Sequence, residues 1–563
     1  MDGGPQEGGQ VWNFGDIADS LESALPRDAP ALIHGNRTIS WGDFSRRSNA
    51  FARRIGELGA QPGDRVAFYL RNEPAYLEGL FGCFKGRFVH ANVNFRYTDD
   101  ELLYILDDSD ATIVLYGAEF RPQMESLADR LGKVRACVQV GGEGRPEGAL
   151  DYEEIVCSGS GEPLDIERSG DDLLFLYTGG TTGMPKGVMW RAEDHWASLG
   201  RGAEHQGATG EPPATPDAHA GQMARAIEAS GQFREIPASP LMHGAALLQS
   251  IWTLTSGGCV VTLERPSFDV EELLDTIDRQ RVMSVSIVGD AFARPMLEAL
   301  HAQPGRWKLD SLEYVFSSGA MWSQEVKQGL LAQQPGLTLW DAFGSSESGE
   351  VGTMITTAGE EVETARFQLS PRCKVFTEEL REVVPGSGEP GFVARTGPLP
   401  VGYHKDPEKT AQNFRTIDGV RYVIPGDWCT VEADGSLALI GRGSTCINTA
   451  GEKVYPEEVE VALKRYADVE DALVVGLPDE RWGQAVTGVL ELRDGARLEE
   501  DALRQHLRVI LAGYKVPKRF VTVEKMFRAP NGKADYASAV AHAREQLSSL
   551  SHTTERRGTS DGS

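Results

Sequence analysis

The sequence predicts an α/β protein: a large N-terminal region of helix-covered sheets with a β-rich subdomain, then a small α+β C-terminal domain. Three observations lead there. From Val11 to about Gly170, helical periodicity alternates with short apolar runs, the pattern of parallel sheets covered by helices. Between Val375 and Ile440 the strands shorten and turns multiply. After Gly441-Arg442 the pattern changes again, into about one hundred residues of helix and alternating strand, the size of a compact domain. The expected boundaries are 11–441 for the large domain and 442–547 for the small one, with polar, disordered ends at 1–10 and 548–563.

Taken in order, Trp41 to Leu58 has helical spacing, and Gly63 to Leu70 reads as a turn into a strand. Glu73 to Gly86 is a second helix, followed by an apolar run at Thr112 to Tyr116. Leu173 to Tyr177 reads as a strand end, and Gln206 to Ala220, rich in Gly, Pro, Ala and Thr, as a loop. Further units are a helix at Phe268 to Gln280 and strands at Ser284 to Val288 and Tyr314 to Ser317. In the last region Pro456 to Tyr466 is a helix, with proline at its start and acids in its first turn. Val469 to Gly476 and Gln484 to Leu492 alternate as strands, and Leu498 to Ala512 is a second helix.

Composition narrows the classes. The 563 residues exceed one ordinary core, and 40% hydrophobic with 25% charged residues is ordinary for a globular protein. A net charge of −27 argues against nucleic acid or an anionic membrane as partner. Seven scattered cysteines, odd in number and without C-x-x-C spacing, suggest neither a disulfide framework nor zinc. With no signal-peptide pattern and no apolar run of membrane-spanning length, the expectation is a cytoplasmic protein. A homodimer is compatible with the sequence.

The segment most telling of chemistry is Leu176 to Gly187. It places Thr178, Gly179, Gly180, Thr181, Thr182, Gly183 and Lys186 in one loop after a strand. Glycines let backbone N–H groups approach an anion, threonine hydroxyls add donors, and lysine adds charge, so the loop suits a polyphosphate. It is not a Walker A loop, because Pro185 precedes the lysine and Gly187 follows it. Ser317-Ser318-Gly319-Ala320 and Asp341-Ala342-Phe343-Gly344-Ser345-Ser346-Glu347 read as strand-end loops, where open α/β sheets place ligands. Gly344 to Ser348 is a near miss for a serine-hydrolase elbow, with Ser348 where glycine is required. Gly386 to Gly391 fits G-x-G-x-x-G but precedes a strand, so it reads as a hairpin loop.

These segments, in this order, resemble the adenylate-forming superfamily of acyl-CoA synthetases, luciferases and adenylation domains, over about Val11 to Ala541. The nearest form resembles actinobacterial ligases of long-chain or steroid side-chain carboxylates, on Asn92 to Tyr97, Gly187 to Arg191, Met242 to Ala245, Asn448 to Glu460 and Ala512 to Pro517. The resemblance implies ATP, Mg2+ and CoA as cofactors and a small-molecule carboxylic acid as substrate. It implies that Pro240 to Gly244 lines the acyl pocket with His243 near the carboxylate, and that the loops at Ser318 and Asp341 hold adenine and the carboxylate. Glu347 would be the magnesium ligand, Asp427 would grip the ribose hydroxyls, and Arg442 would contact the nucleotide at the interdomain hinge. Lys533 would be the catalytic lysine. Two residues depart from the pattern: Ser444 and Asn448 stand where many relatives have an acid or lysine and a lysine. The hinge Gly443-Ser444 is therefore small and flexible.

The implied reaction has two steps. A carboxylate attacks the α-phosphorus of ATP, and the small domain then turns, withdrawing Lys533 and bringing Gly451 and Lys453 toward a pantetheine channel for thioester formation. Three other readings stay open: transfer to a carrier-protein thiol, activation of nitrite toward an aromatic amine, and a non-catalytic binding protein. Small residues at Gly244, Ala245, Ala246, Gly319 and Ala320 leave room for a bulky acid.

Overall fold

The computed structural model describes residues 12–179, 184–199, 213–319, 322, 324–360, 366–442, 447–454, 456–527, 535–536 and 538–547. The chain divides into two units. The first holds Met1–Phe95, Leu102–Thr178 and Gly187–Ile440; the second holds Arg96–Glu101, Gly179–Lys186 and Gly441–Ser563.

In the first unit the largest sheet has a parallel half. Its strands run Pro30–His34, Cys259–Thr262, Arg234–Pro237, Ser284–Ile287, Tyr314–Ser318 and Thr338–Ser345, each parallel to the next. The strands are short and β-branched, and Ile236, Val261, Val285, Ile287, Val315 and Leu339 are closed off from solvent between covering helices. From Arg234 onward the spatial order is second, first, third, fourth, fifth. The winding therefore reverses between Arg234–Pro237 and Ser284–Ile287. Their carboxyl ends flank the crevice where such sheets bind ligands.

The helices begin where their capping residues dictate. Asp269 accepts from the N–H of Glu272 to start Val270–Gln280, and Ser40 accepts from Asp43 to start Trp41–Glu57. The expected loop at Gln206 to Ala220 is corrected at its end. Thr215 caps a helix, Pro216–Ser230, with proline in the first turn where its missing N–H costs nothing. The glycine- and proline-rich composition concealed a helix start.

The second sheet runs Gly402–Tyr403, Pro185–Arg191, Leu173–Gly179, Val89–Asn92, Arg65–Tyr69, Ala111–Gly117, Ala136–Val140, Leu150–Asp151. Helices Trp41–Glu57 and Pro74–Gly86 pack on it around Phe44, Phe51, Leu77, Leu80 and Phe81. Beyond Thr338–Ser345 the chain turns back antiparallel into Gly349–Thr356. It then builds the expected β-rich part, with Val375, Val393, Cys429 and Leu437 at its core. The Gly386 to Gly391 segment is the last part of the connection between antiparallel strands Cys373–Phe376 and Gly391–Arg395 and leads into the second of them.

The second unit has its own sheet and core. Val469–Asp479 pairs antiparallel with Gly483–Leu492, and Arg519–Val523 lies parallel to the latter. Helices Pro456–Lys464 and Glu500–Ile510 cover it through Val459, Leu463, Leu503 and Leu507. Within this unit Lys515 Nζ lies 2.5 Å from Glu101 Oε1, both buried. Among the described residues six cysteines are free, and no helix is long and apolar enough to cross a membrane.

Candidate functional site

In the first unit, Ser318 and Asp341 lie toward the carboxyl ends of adjacent parallel strands, with Glu347 on the turn that follows. Ser318 ends Tyr314–Ser318 and is followed by Gly319 at φ 89°, a left-handed turn that glycine makes without strain. Ser317, one residue earlier, is fully buried and accepts the N–H of Gly289 at 2.9 Å, tying the ends of two adjacent strands together.

Asp341, Ala342, Phe343, Gly344 and Ser345 were expected in a loop. They instead continue the strand Thr338–Ser345, and only Ser346, Glu347 and Ser348 make the turn. Antiparallel pairing with Gly349–Thr356 extends the strand past the end of the parallel half. Gly344 is required there, because a Cβ would lie 2.1 Å from the carbonyl oxygen of Gly349. Asp341 is buried beside Lys327, whose Nζ lies 2.8 Å from Oδ2. Burial raises the Asp341 carboxyl above its ordinary range, and the ammonium opposes that rise.

The turn that carries Glu347 is held from several sides. Ser345 and Ser348 exchange hydrogen bonds, with Ser348 Oγ accepting the Ser345 N–H at 3.1 Å. Trp190 donates its indole N–H to the carbonyl of Ser346 at 2.9 Å. Arg395, buried, donates to the carbonyl of Ser348 and to Ser198 Oγ at 3.0 Å. Glu347 itself is half-buried and accepts from the phenol of Tyr403 at 2.9 Å. Among the described residues it makes no ion pair.

His243 precedes helix Gly244–Thr255, in extended backbone at its N-cap position. The turn before it has its shape imposed by two asparagines, Asn92 on a strand of the neighbouring sheet and Asn72 in the loop after another of its strands. Asn72 donates to the carbonyls of Pro237 and Ser239, both at 2.9 Å, and accepts the Leu241 N–H at 2.7 Å. Asn92 donates to the carbonyls of Tyr177 at 3.0 Å and Met242 at 2.7 Å, and accepts the Tyr177 N–H at 2.6 Å. Tyr177 is one residue before Thr178, so one amide fixes both the strand leading to the polyphosphate-type segment and the turn leading to His243.

Other expected residues fall as follows. Thr178 and Gly179 end the strand Leu173–Gly179, and Lys186 lies on the strand Pro185–Arg191 rather than in a loop. Asp427 opens the strand Asp427–Val431 after Gly426 at φ 93°, and is 3% exposed. In the second unit Arg442 closes Leu437–Arg442, Gly451 makes the hairpin turn at φ 82°, and Lys453 lies on Glu452–Val454. Arg442 and Lys453 are placed by their backbone alone. Gly180, Thr181, Thr182, Gly183, Ala320, Gly443, Ser444 and Lys533 lie outside the described residues.

For a metal, no group of three or more His, Cys, Asp or Glu side chains stands together among the described residues. Glu347 offers one carboxylate with one oxygen on a neutral phenol. That donor set fits a hard cation that takes its remaining ligands from phosphates and water.

Sequence reasoning missed Tyr403, Lys327, Trp190 and Asn72. Tyr403 lies 56 residues from Glu347 and Trp190 lies 156 from Ser346, and nothing in local pattern links such pairs. Asn72 stands between Arg71 and Glu73, and Lys327 between Val326 and Gln328, so their neighbours in sequence do not mark them for burial.

The family sequence model described as AMP-binding enzyme matches residues 22–399, and that described as AMP-binding enzyme C-terminal domain matches 458–533. A relative in Mycobacterium marinum, named medium/long-chain-fatty-acid–CoA/3-oxocholest-4-en-26-oate–CoA ligase, is 39% identical over 533 residues, covering 93% of this chain and 95% of its own. The 3-oxocholest-4-en-26-oate–CoA ligase of Rhodococcus rhodochrous is 39% identical over 531 residues, covering 92% and 94%. Among solved structures, the amide bond synthetase McbA from Marinactinospora thermotolerans superposes with a TM-score of 0.75 at 22% identity, covering 93% of this chain and 99% of its own. This last likeness concerns the fold.

Proposed function

The chain belongs to the AMP-binding enzyme family, and from that membership we propose that it activates a carboxylic acid with ATP and passes the acyl group to coenzyme A. The observation that carries this reading is the gathering of Ser318, Asp341 and Glu347 at the carboxyl ends of adjacent strands, on the side where the winding reverses.

The substrate carboxylate is already an anion, so its attack on the α-phosphorus needs no protein base. It needs alignment and charge neutralisation. Asp341 and the Ser318-Gly319 turn frame the adenine and the reacting carboxylate, and Asp427 accepts from the ribose hydroxyls. Lys186 and the Thr178–Gly183 segment hold phosphate oxygens, Arg442 contacts the nucleotide, and Lys533 stabilises the charge that develops at the leaving pyrophosphate. Glu347 would hold the magnesium ion, which when bound would supply charge that neutralises the phosphates. For the second step, a C-terminal domain of residues 442–547 turns about Gly443-Ser444. Gly451 and Lys453 then face the pantetheine arm, whose thiolate attacks the acyl-adenylate carbonyl and expels AMP.

The acid is of the fatty or steroid side-chain class. The names of the mycobacterial and rhodococcal relatives support this. So does the open space at Gly244 and Gly319, where among the described residues an added Cβ would meet nothing closer than 3.7 or 4.0 Å.

Product analysis by mass spectrometry tests the proposal. Protein, ATP and magnesium are given fatty, steroidal and aromatic acids, with and without coenzyme A. Coenzyme A-dependent AMP release with an acyl-CoA product supports it. Acyl-adenylate that accumulates and ignores coenzyme A transfers the reading to a carrier-protein thiol. Absence of any adenylate rejects it.

A further inference from the structure

Among the described residues, the partner that orients Glu347 is neutral. Its carboxylate oxygen Oε1 accepts from Tyr403 Oη at 2.9 Å, and that phenol oxygen in turn accepts from Asn413 Nδ2 at 2.9 Å. The directions are fixed by chemistry. An ionised carboxylate only accepts, so the phenol must donate to it, and the lone pair left on the phenol takes the amide proton.

The chain that supplies the phenol is itself immobilised. Tyr403 is 4% exposed and lies edge-on to Phe414, with ring centroids 6.0 Å apart. Its backbone N–H donates to Thr410 Oγ1 at 2.9 Å, and that hydroxyl donates to Asp406 O at 2.7 Å, inside the first turn of helix Pro407–Asn413. Asn413 is the last residue of the same helix. Gly402 and Tyr403 also pair with Met189 and Val188, on the strand that begins at Pro185. The phenol is therefore held by a short helix and by the second sheet, while Glu347 stands on a turn of the first.

We propose that Tyr403, oriented by Asn413, is a positioning residue for Glu347: it fixes one carboxylate oxygen so that the other, with its full charge, faces a phosphate-bound divalent cation. A neutral donor suits this role. A lysine or arginine in its place would fix the carboxylate equally well, but would cancel the charge a cation needs. The inference rests on the reading of Glu347 given under Proposed function.

The test follows manganese(II) in place of magnesium. Its binding to the full-length protein with a non-hydrolysable ATP analogue is titrated by electron paramagnetic resonance. The divalent-ion dependence of acid-stimulated pyrophosphate release is measured in parallel. Tyr403→Phe, which keeps the ring, is expected to weaken ternary manganese binding about five- to tenfold, with the KM for the acid and the melting temperature little changed. Asn413→Ala is expected to weaken it about threefold, and the double variant no more than Tyr403→Phe alone, because the amide acts through the phenol. Glu347→Gln serves as the reference. If Glu347→Gln lowers manganese affinity and Tyr403→Phe does not, the positioning role is overturned while the reading of Glu347 stands. Additive losses in the double variant overturn the relay. If Glu347→Gln leaves manganese binding unchanged, both the reading of Glu347 and this inference fall.

Discussion

Lys327 Nζ lies 2.8 Å from Asp341 Oδ2, and neither side chain reaches solvent appreciably. The pair joins the helix Gln324–Gln333 to the strand that leads to Glu347. It also sits against Trp322, with the ammonium 5.3 Å from the ring centroid. Lys327→Met leaves a carboxyl buried without its cation and is expected to cost about 3–5 kcal/mol of stability. Adding Asp341→Asn should recover most of that loss, since no charge then remains to be paired. Urea denaturation of the single and double variants checks both statements.

The asparagine clips make a second expectation. Asn92→Ala removes three hydrogen bonds at a buried position and strands the Tyr177 and Met242 backbone groups. The expected loss is about 2–4 kcal/mol. Asn92→Asp should lose nearly as much, because a carboxylate cannot donate to two carbonyls. An Asn92→Asp protein as stable as the parent would refute the assignment of donors. The measurement is the denaturant midpoint at fixed pH.

Glu235 predicts a pH dependence. It is fully buried, with its oxygens 2.5 Å from Ser286 Oγ and 2.7 Å from Thr253 Oγ1, and burial raises its carboxyl to about 7 from an ordinary 4.5. The folded state thus keeps a proton that the unfolded chain has released. Stability from this group is complete below pH 4.5 and falls as pH rises to 7. The total is about 3 kcal/mol for such a shift. Glu235→Gln should flatten the stability profile across that window and leave it parallel to the parent above pH 7.

Asp427→Ala is expected to raise the KM for ATP about tenfold or more, through loss of hydrogen bonds to a charged acceptor, with the KM for the acid little affected. Unchanged nucleotide affinity would remove Asp427 from the ribose. Lys533→Ala is expected to abolish most adenylation while leaving thioester formation from preformed acyl-adenylate largely intact. Equal loss of both half-reactions would argue against a turning C-terminal domain. Single-turnover assays of each half-reaction decide.

What was legible in the sequence was what is written locally. Helix Trp41–Glu57 begins at its serine cap, and helix Val270–Gln280 keeps its apolar face and aspartate cap. The strands at Ser284 and Tyr314 declare themselves as short apolar runs. The segments at Ser318, Asp341 and Asp427 are contiguous, so their residues could be named. Where the reading stopped, the determinant was elsewhere in the chain. Asp341 to Ser345 look like a loop, with two glycine-or-serine positions in five, and become strand only because Gly349–Thr356 supplies the pairing. The helix at Pro216 was hidden because its capping threonine follows a run of residues that otherwise signal a loop. The contacts on Glu347 and on the Pro237 to Met242 turn come from the other sheet, and no periodicity reports them.

The order of the parallel strands has a consequence for how this protein can be altered. At the reversal the connections leaving Arg234–Pro237 and Ser284–Ile287 depart to opposite sides, so neither loop is threaded through the other. Each can be lengthened, shortened or exchanged while the other keeps its path. The first is pinned at Pro237, Ser239, Leu241 and Met242 by side chains it does not own, and runs straight into the helix Gly244–Thr255. Under the proposed function, a change of acid would be sought in the loop after Arg234–Pro237, with the loop after Ser284–Ile287 left as it is.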